Sequence, residues 1–299
     1  MLKNRFEIKE INCKIALSKS GIYGIDYSIN PYLGCEHNCA YCFARYMKKF
    51  SSLNKDWGEF VEVKKNITEI LEKEIRALES GSILISSVTD PYQPTEERYK
   101  LTRKILEKFA EFSENKIRFP QIFGKSSRKY FEKFKITILT KSSLVTRDID
   151  IIKRITELGE DIEVGFSICM LNEDVKKIIE PKSSSIEERI NSLKEIKRNG
   201  IKTFAMIAPI LPIITENDLE NLLKEMKNSN VDYVLIDKLN IKACNWKPLR
   251  NSLEIIDKTL VDKYEKIIFS REYERYFQKI KQMILDLCSK LKLEFYFCY

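Results

Sequence analysis

The sequence predicts an α/β fold in which parallel strands alternate with amphipathic helices and close as a partial (β/α)6 barrel. Three observations carry this. Six short runs recur that are mostly near-continuously apolar, as parallel strands buried on both faces are. Stretches with apolar residues three or four apart separate them. Gly81, Gly159 and Gly200 fall just past three of those stretches, where C-cap glycines belong.

The first run, Asp26–Tyr32, leads into a group of cysteines. The others are Ser82–Val88, Lys135–Thr140, Ile162–Cys169, Ile201–Ala208 and Val231–Ile236. Helical periodicity covers Ile67–Glu79, Leu101–Phe112, Ile149–Leu158, Ile186–Arg198 and Asn217–Lys227. Alternation of this kind makes a parallel sheet, and six strands fall short of the eight-fold barrel. Residues 115–135 interrupt the alternation as an insertion. From about Asn240 the chain is irregular, then helical over Leu260–Phe269 and Glu272–Leu291, and it finishes on Phe295, Tyr296, Phe297 and Tyr299. The expected organisation is therefore a barrel over residues 1–240 and a helical C-terminal extension over 241–299.

Composition bounds the rest. A chain of 299 residues with 43% hydrophobic content can bury one large core. The 32% charged fraction and mean hydropathy of -0.31 point to a soluble protein. No apolar run approaches the roughly 20 residues of a membrane span. Met1–Ala16 mixes charges with isolated apolar residues and lacks the apolar stretch of a signal peptide, so a cytoplasmic location is expected. The net charge of +8 is spread along the chain, which permits a nucleic-acid partner without requiring one. Of the eight cysteines, Cys35, Cys39 and Cys42 crowd together while Cys13, Cys169, Cys244, Cys288 and Cys298 are scattered. That is not a disulfide scaffold, and in a reducing compartment a tight cysteine group points to metal.

The spacing is Cys-x3-Cys-x2-Cys. Three thiolates can hold three irons of a cubane cluster and leave the fourth iron open, whereas an electron-transfer cluster takes four cysteines. An open position on a metal can chelate a substrate or cofactor. Spacing alone leaves a second option, a zinc site completed by His37, the only histidine, or by a distant cysteine.

This motif, with the aromatic Tyr41 just before the third cysteine, resembles the signature of the radical S-adenosylmethionine (SAM) superfamily. The similarity extends to its spore photoproduct lyase-like, DNA repair photolyase-related branch. It rests on Asn30-Pro31-Tyr32, Gly34-Cys35 and Cys42-Phe43-Ala44-Arg45, then Thr89-Asp90-Pro91-Tyr92-Gln93-Pro94-Thr95-Glu96. Leu139-Thr140-Lys141-Ser142, Arg147-Asp148, Ser167-Ile168, Glu180-Pro181-Lys182, Arg189 and Ala208-Pro209-Ile210-Leu211-Pro212 follow in order. The resemblance implies a partial (β/α)6 barrel with its site at the C-terminal strand ends. It implies a [4Fe–4S] cluster on Cys35, Cys39 and Cys42, with SAM chelating the open iron. Tyr41 would pack near the adenine, Thr89 and Asp90 would face the methionyl amine, Lys141 its carboxylate, and Ser167 would hydrogen-bond the cofactor. Glu180 and Arg189 would pair to shape the same wall. The implied reaction is reductive cleavage of SAM to a 5′-deoxyadenosyl radical that abstracts hydrogen from a substrate. The electron would come from a donor such as a flavodoxin or ferredoxin.

The sequence also departs from the lyase. Ser87 stands where that enzyme has a hydrogen-donating cysteine, and Phe43 where it has a tyrosine, so repair of a thymine dimer is not expected. Cys169 is a substitute donor candidate, although a buried cysteine most often serves as a small apolar residue. Within 115–135, Lys116, Arg118, Lys125, Arg128, Lys129, Lys133 and Lys135 are interleaved with Phe119, Phe123, Tyr130, Phe131 and Phe134. Cations with stacking faces suit a nucleic-acid strand, and a lid with solvated lysines would have the same composition. Three functions stay open: a radical SAM enzyme on an undefined substrate, nucleic acid among the candidates; a nucleic-acid-binding protein with a structural metal; or a radical SAM enzyme modifying a peptide or small metabolite.

Overall fold

The computed structural model describes residues 6–78, 80–118, 133–242 and 244–299. The chain forms two compact units. One comprises Met1–Glu36, Met47–Gly165 and Glu195–Lys202, the other His37–Tyr46, Phe166–Lys194 and Thr203–Tyr299.

The first unit holds β1 (Glu7–Ile11), β2 (Leu17–Lys19), β3 (Tyr27–Ile29), β4 (Tyr32–Leu33), β5 (Phe60–Lys64), β6 (Gly81–Ile85), β7 (Phe134–Thr140) and most of β8 (Asp161–Ser167). Its larger sheet runs β2-β3-β6-β7-β8, with β3, β6 and β7 parallel and β2 an antiparallel edge. Ile83 sits opposite Ile136 and Ile85 opposite Ile138, and all four are fully buried. Each such side chain contributes on the order of 1.5–3 kcal/mol of burial. The helices are α1 (Ile67–Ile75), α2 (Thr95–Tyr99), α3 (Leu101–Arg118) and α4 (Ile149–Glu157). Ile67, Leu71 and Ile75 line the buried stripe of α1, and Ile151, Ile152 and Ile155 that of α4. Phe134 packs edge-on against Phe109 and Phe112 of α3, with centroids 5.7 and 5.9 Å apart. This ring of the basic insertion is thus core. Lys116 and Arg118 fall in the last turns of α3, which runs six residues past Phe112. The remaining insertion residues, 119–132, lie outside the described residues.

Several boundaries differ from the sequence-based expectation. The strand expected over Ser82–Val88 stops at Ile85, because Ser86 takes a left-handed φ of 69°. The helix expected to Glu79 stops at Ile75, and Gly81 opens β6 instead of capping a helix. A second sheet, β1-β5-β4, was not anticipated. Its strand β5 (FVEVK) is buried at four of five positions including Glu62, whose carboxylate accepts from the Ser52 amide and hydroxyl. A buried acid breaks the apolar pattern that reveals a strand.

The second unit holds the end of β8, nearly all of β9 (Lys202–Ile210), β10 (Tyr233–Lys238) and β11 (Phe295–Phe297). β10 runs parallel to both β9 and β11. The helices are α5 (Glu173–Ile179), most of α6 (Ile186–Arg198), α7 (Ile214–Asn228), α8 (Trp246–Ile256), α9 (Lys258–Ile268) and α10 (Glu272–Leu291). The described residues after Asn240 form α8–α10 and one further strand, since the closing aromatic run is β11. Phe204 stacks on Tyr233 at 5.2 Å, and Tyr296 meets Tyr233 edge-on at 5.8 Å. Among the described residues no helix is long and apolar enough to cross a membrane.

Candidate active site

Most of the motifs singled out in the sequence follow the C-terminal ends of β3, β6 and β7 or close β8 and β9, while Arg147, Glu180 and Arg189 lie in or just after helices. In parallel α/β sheets those ends carry the chemistry.

The approach to the cysteines is built in the first unit. Gly34 has φ of +93°, and a Cβ there would lie 2.4 Å from the Phe60 carbonyl oxygen. Only glycine fits. The motif after β6 then brackets this turn. Gln93, fully buried, accepts from the Glu36 amide at 2.9 Å and donates to the Gly34 carbonyl at 3.2 Å. The Glu36 carboxylate accepts from the Thr95 amide and hydroxyl at 2.6 and 2.5 Å. The Tyr32 hydroxyl donates to Glu96. Burial, and next the Glu96 charge, push the Tyr32 phenol far above its ordinary range. Glu96 also accepts from Thr102 and Arg147, and Arg147 pairs with Asp148 at 2.7 Å. Burial still raises the Glu96 carboxyl above the usual carboxylate range.

Asp90 joins the ends of two strands. Its carboxylate accepts from the Thr140 hydroxyl at 2.6 Å, the Lys141 amide at 2.8 Å and the Tyr92 amide at 2.9 Å. Three of the sequence-selected positions, Thr89, Asp90 and Lys141, are therefore set by the β6 and β7 ends. The Thr89 hydroxyl shares a 2.5 Å hydrogen bond with Ser86. Ser87 is held by Asn30, which accepts from its amide at 2.9 Å.

The rest of the cysteine loop belongs to the second unit. Arg45 donates to the Asn38 side chain at 2.9 Å and to the Cys39 carbonyl at 3.0 Å, and Asn38 takes φ of 50°. The Ala40 amide donates to the Ile179 carbonyl at the end of α5, at 2.8 Å. The Tyr41 hydroxyl donates to Glu180, one residue further on. Glu180 and Arg189 do pair, at 2.5 Å, and each side chain is only 1% exposed. Arg189 also donates to the Ser184 and Ser167 carbonyls at 2.9 and 3.0 Å and to the Ser183 hydroxyl. Burial, with the Glu180 charge second, lifts the Tyr41 phenol well above its ordinary value. The Ser167 hydroxyl donates to the Ala208 carbonyl at 3.0 Å. Cys169 is 1% exposed, with its Sγ 3.9 Å from Glu180.

Sequence reasoning missed Gln93 and Thr95 as braces of the loop, although it had singled out their motif. It missed Asn245 altogether, because no pattern marks a single asparagine. Asn245 is fully buried, and its side-chain amide donates to the Tyr41 carbonyl at 2.9 Å.

Among the described residues no cysteine is in a disulfide, and no three His, Cys, Asp or Glu are drawn around a single metal ion. Cys35 and Cys39 are 7% and 6% exposed, and Cys42 is half-buried. A cubane iron–sulfur cluster with an open iron takes one soft thiolate on each of its other three irons, and the Cys-x3-Cys-x2-Cys motif supplies three thiols of that kind.

A radical SAM superfamily model matches residues 29–226. An uncharacterized protein of Methanocaldococcus jannaschii is 34% identical over 280 residues, covering 93% of each chain. The radical SAM Nα-GlyT isomerase of Pseudomonas phage M6 is 23% identical over 73% of this chain and 40% of its own. Among solved structures, spore photoproduct lyase complexed with dinucleoside spore photoproduct superposes with a TM-score of 0.68 at 15% identity. That match covers 98% of this chain and 82% of the lyase. The mixed α/β architecture described above is the partial-barrel fold of that enzyme.

Proposed function

The chain belongs to the radical SAM superfamily, and on that premise we propose that Cys35, Cys39 and Cys42 hold a [4Fe–4S] cluster for SAM-dependent hydrogen abstraction from a nucleic-acid substrate. The observation that supports the cluster assignment is the Cys-x3-Cys-x2-Cys motif inside the matched span 29–226; within the first unit Gln93 holds Gly34 and Glu36, and within the second Ile179 and Glu180 hold Ala40 and Tyr41. Bound there, the cluster and SAM would supply the chemistry of reductive SAM cleavage, the electron coming from an external donor.

The protein's share is positioning and shielding. Gly34 lets the chain turn against Phe60, and Gln93, Thr95 and Glu96 hold the turn rigid. Asp90 ties the β6 and β7 ends; Thr89 and Asp90 are assigned to the methionyl amine and Lys141 to the carboxylate. Tyr41, with its hydroxyl committed to Glu180, offers its ring to the adenine, and Ser167 completes the cofactor contacts. Cys169 is the candidate thiol for hydrogen return. A flavodoxin- or ferredoxin-type protein supplies the electron. The barrel is taken as residues 1–240, with 241–299 as its extension.

One structural neighbour supports the substrate class by its printed name, a lyase complexed with a dinucleoside spore photoproduct. Cations spread over the chain at a net charge of +8 suit a polyanion. The test is anaerobic reconstitution with iron and sulfide, then dithionite and SAM, with 5′-deoxyadenosine assayed beside Cys39→Ala. Product that vanishes in the variant supports the reading. No product, with stoichiometric zinc in the isolated protein, refutes it in favour of a metal-stabilised binding protein.

A further inference from the structure

Asn245 stands at the N-terminus of α8, where an asparagine ordinarily caps its own helix by accepting from an amide of the first turn. It makes no such cap. Its side chain is used elsewhere. Nδ2 donates to the Tyr41 carbonyl at 2.9 Å and to the Asn240 carbonyl at 3.0 Å, and Oδ1 accepts from the Lys242 amide at 2.8 Å. The residue is 0% exposed. A buried amide with its donors and acceptor engaged this way is costly to replace, because each partner would lose its hydrogen bond in a water-poor setting.

The carbonyl it holds lies between Cys39 and Cys42. The same stretch is held on its other groups by α5: the Ala40 amide by Ile179 and the Tyr41 hydroxyl by Glu180. Next to Asn245, the Cys244 Sγ lies 3.7 Å from the Phe43 carbonyl, one residue past Cys42. Two elements therefore hold three residues of the loop, Ala40, Tyr41 and Phe43, and the second hold comes from the segment between β10 and α8, far along the chain. Asparagine suits the task. Its two N–H groups reach two carbonyls from different segments, whereas aspartate has no donor and alanine no polar group.

We propose that Asn245 is a positioning residue of the radical SAM site: by holding the Tyr41 carbonyl it fixes the main chain that presents Cys39 and Cys42 and orients the Tyr41 ring toward SAM. The proposal rests on the cluster assignment made above. It makes the β10–α8 segment a working part of the cofactor site.

The experiment compares wild type with Asn245→Asp, which keeps the shape and removes the donors, and with the smaller Asn245→Ala. Iron and sulfide content, the SAM dissociation constant, the electron paramagnetic resonance spectrum of the reduced cluster with and without SAM, and the apo-protein melting curve are measured together. Expected is an altered SAM-dependent spectrum, together with about tenfold loss in SAM affinity or cleavage rate, the equivalent of one lost hydrogen bond. Wild-type spectra and SAM affinity in the variants, with only a lower apo melting temperature, would assign Asn245 to the fold alone and overturn the proposal. So would failure of both variants to fold without cluster. A wild-type protein that assembles no cluster overturns the functional reading and this inference together, whereas wild-type cleavage that both variants retain overturns this inference alone.

Discussion

Replacing Arg189 with methionine tests the buried pair that supports the wall beside Tyr41. Arg189 and Glu180 are each 1% exposed and 2.5 Å apart, so neither charge has solvent to fall back on. Methionine matches much of the aliphatic length and supplies no donor. The Glu180 carboxylate then loses its counter-charge, and the Ser167 and Ser184 carbonyls lose the guanidinium donors at 3.0 and 2.9 Å. Breaking a buried pair from one side costs about 3–5 kcal/mol, because the partner is left as an uncompensated buried charge. Removing both charges in Glu180→Gln/Arg189→Met should cost clearly less than the sum of the single changes, with a coupling of about 1–3 kcal/mol. The assay is urea unfolding of the apo protein with linear extrapolation, run on wild type, both single variants and the double. A loss below about 1 kcal/mol for Arg189→Met, or an additive cycle, would refute the reasoning.

Three further outcomes are expected. Gly34→Ala should destabilise by about 2–4 kcal/mol, since a Cβ at 2.4 Å from a backbone oxygen adds overlap to a φ that L-residues avoid; urea midpoints within error of wild type would contradict this. The Arg103 fork holds the Asp150 carboxyl at about 2, below its model-peptide 3.8, so the pair's stabilisation is present above pH 4 and lost as pH falls through 2. Asp150 is 64% exposed, so Asp150→Asn should cost at most about 1 kcal/mol at pH 7, shrinking in unfolding curves taken toward pH 2. Stripping iron from reconstituted protein with an anaerobic chelator should abolish 5′-deoxyadenosine formation, and iron and sulfide should restore it; activity that survives chelation would count against the cluster.

Much of the fold was legible because periodicity reports burial. Ile186–Arg198 and Glu272–Leu291 are helices with the bounds their apolar spacing predicts. Strands β7 to β10 lie within two residues of their expected ends. What pattern missed had a polar reason. The small sheet β1-β5-β4 includes a strand exposed at four of its five positions and another with buried Glu62, so neither shows a clean apolar face. The closing aromatics read as a tail until β10 supplied the partner that makes them a strand.

By itself the sequence determined the alternating α/β architecture and the three cysteines with Tyr41 among them. Both are legible there because spacing and motif order run along the chain, whereas the pairing of Glu180 with Arg189 was an expectation from the family resemblance that the structure shows. Only the tertiary structure decided what grips the cysteine loop. Gln93 reaches back 59 residues to Gly34, Glu180 lies 139 residues from Tyr41, and Asn245 lies 204 residues beyond it. A hydrogen bond forms between groups that folding brings within 3 Å, and separation along the chain carries no trace of that distance.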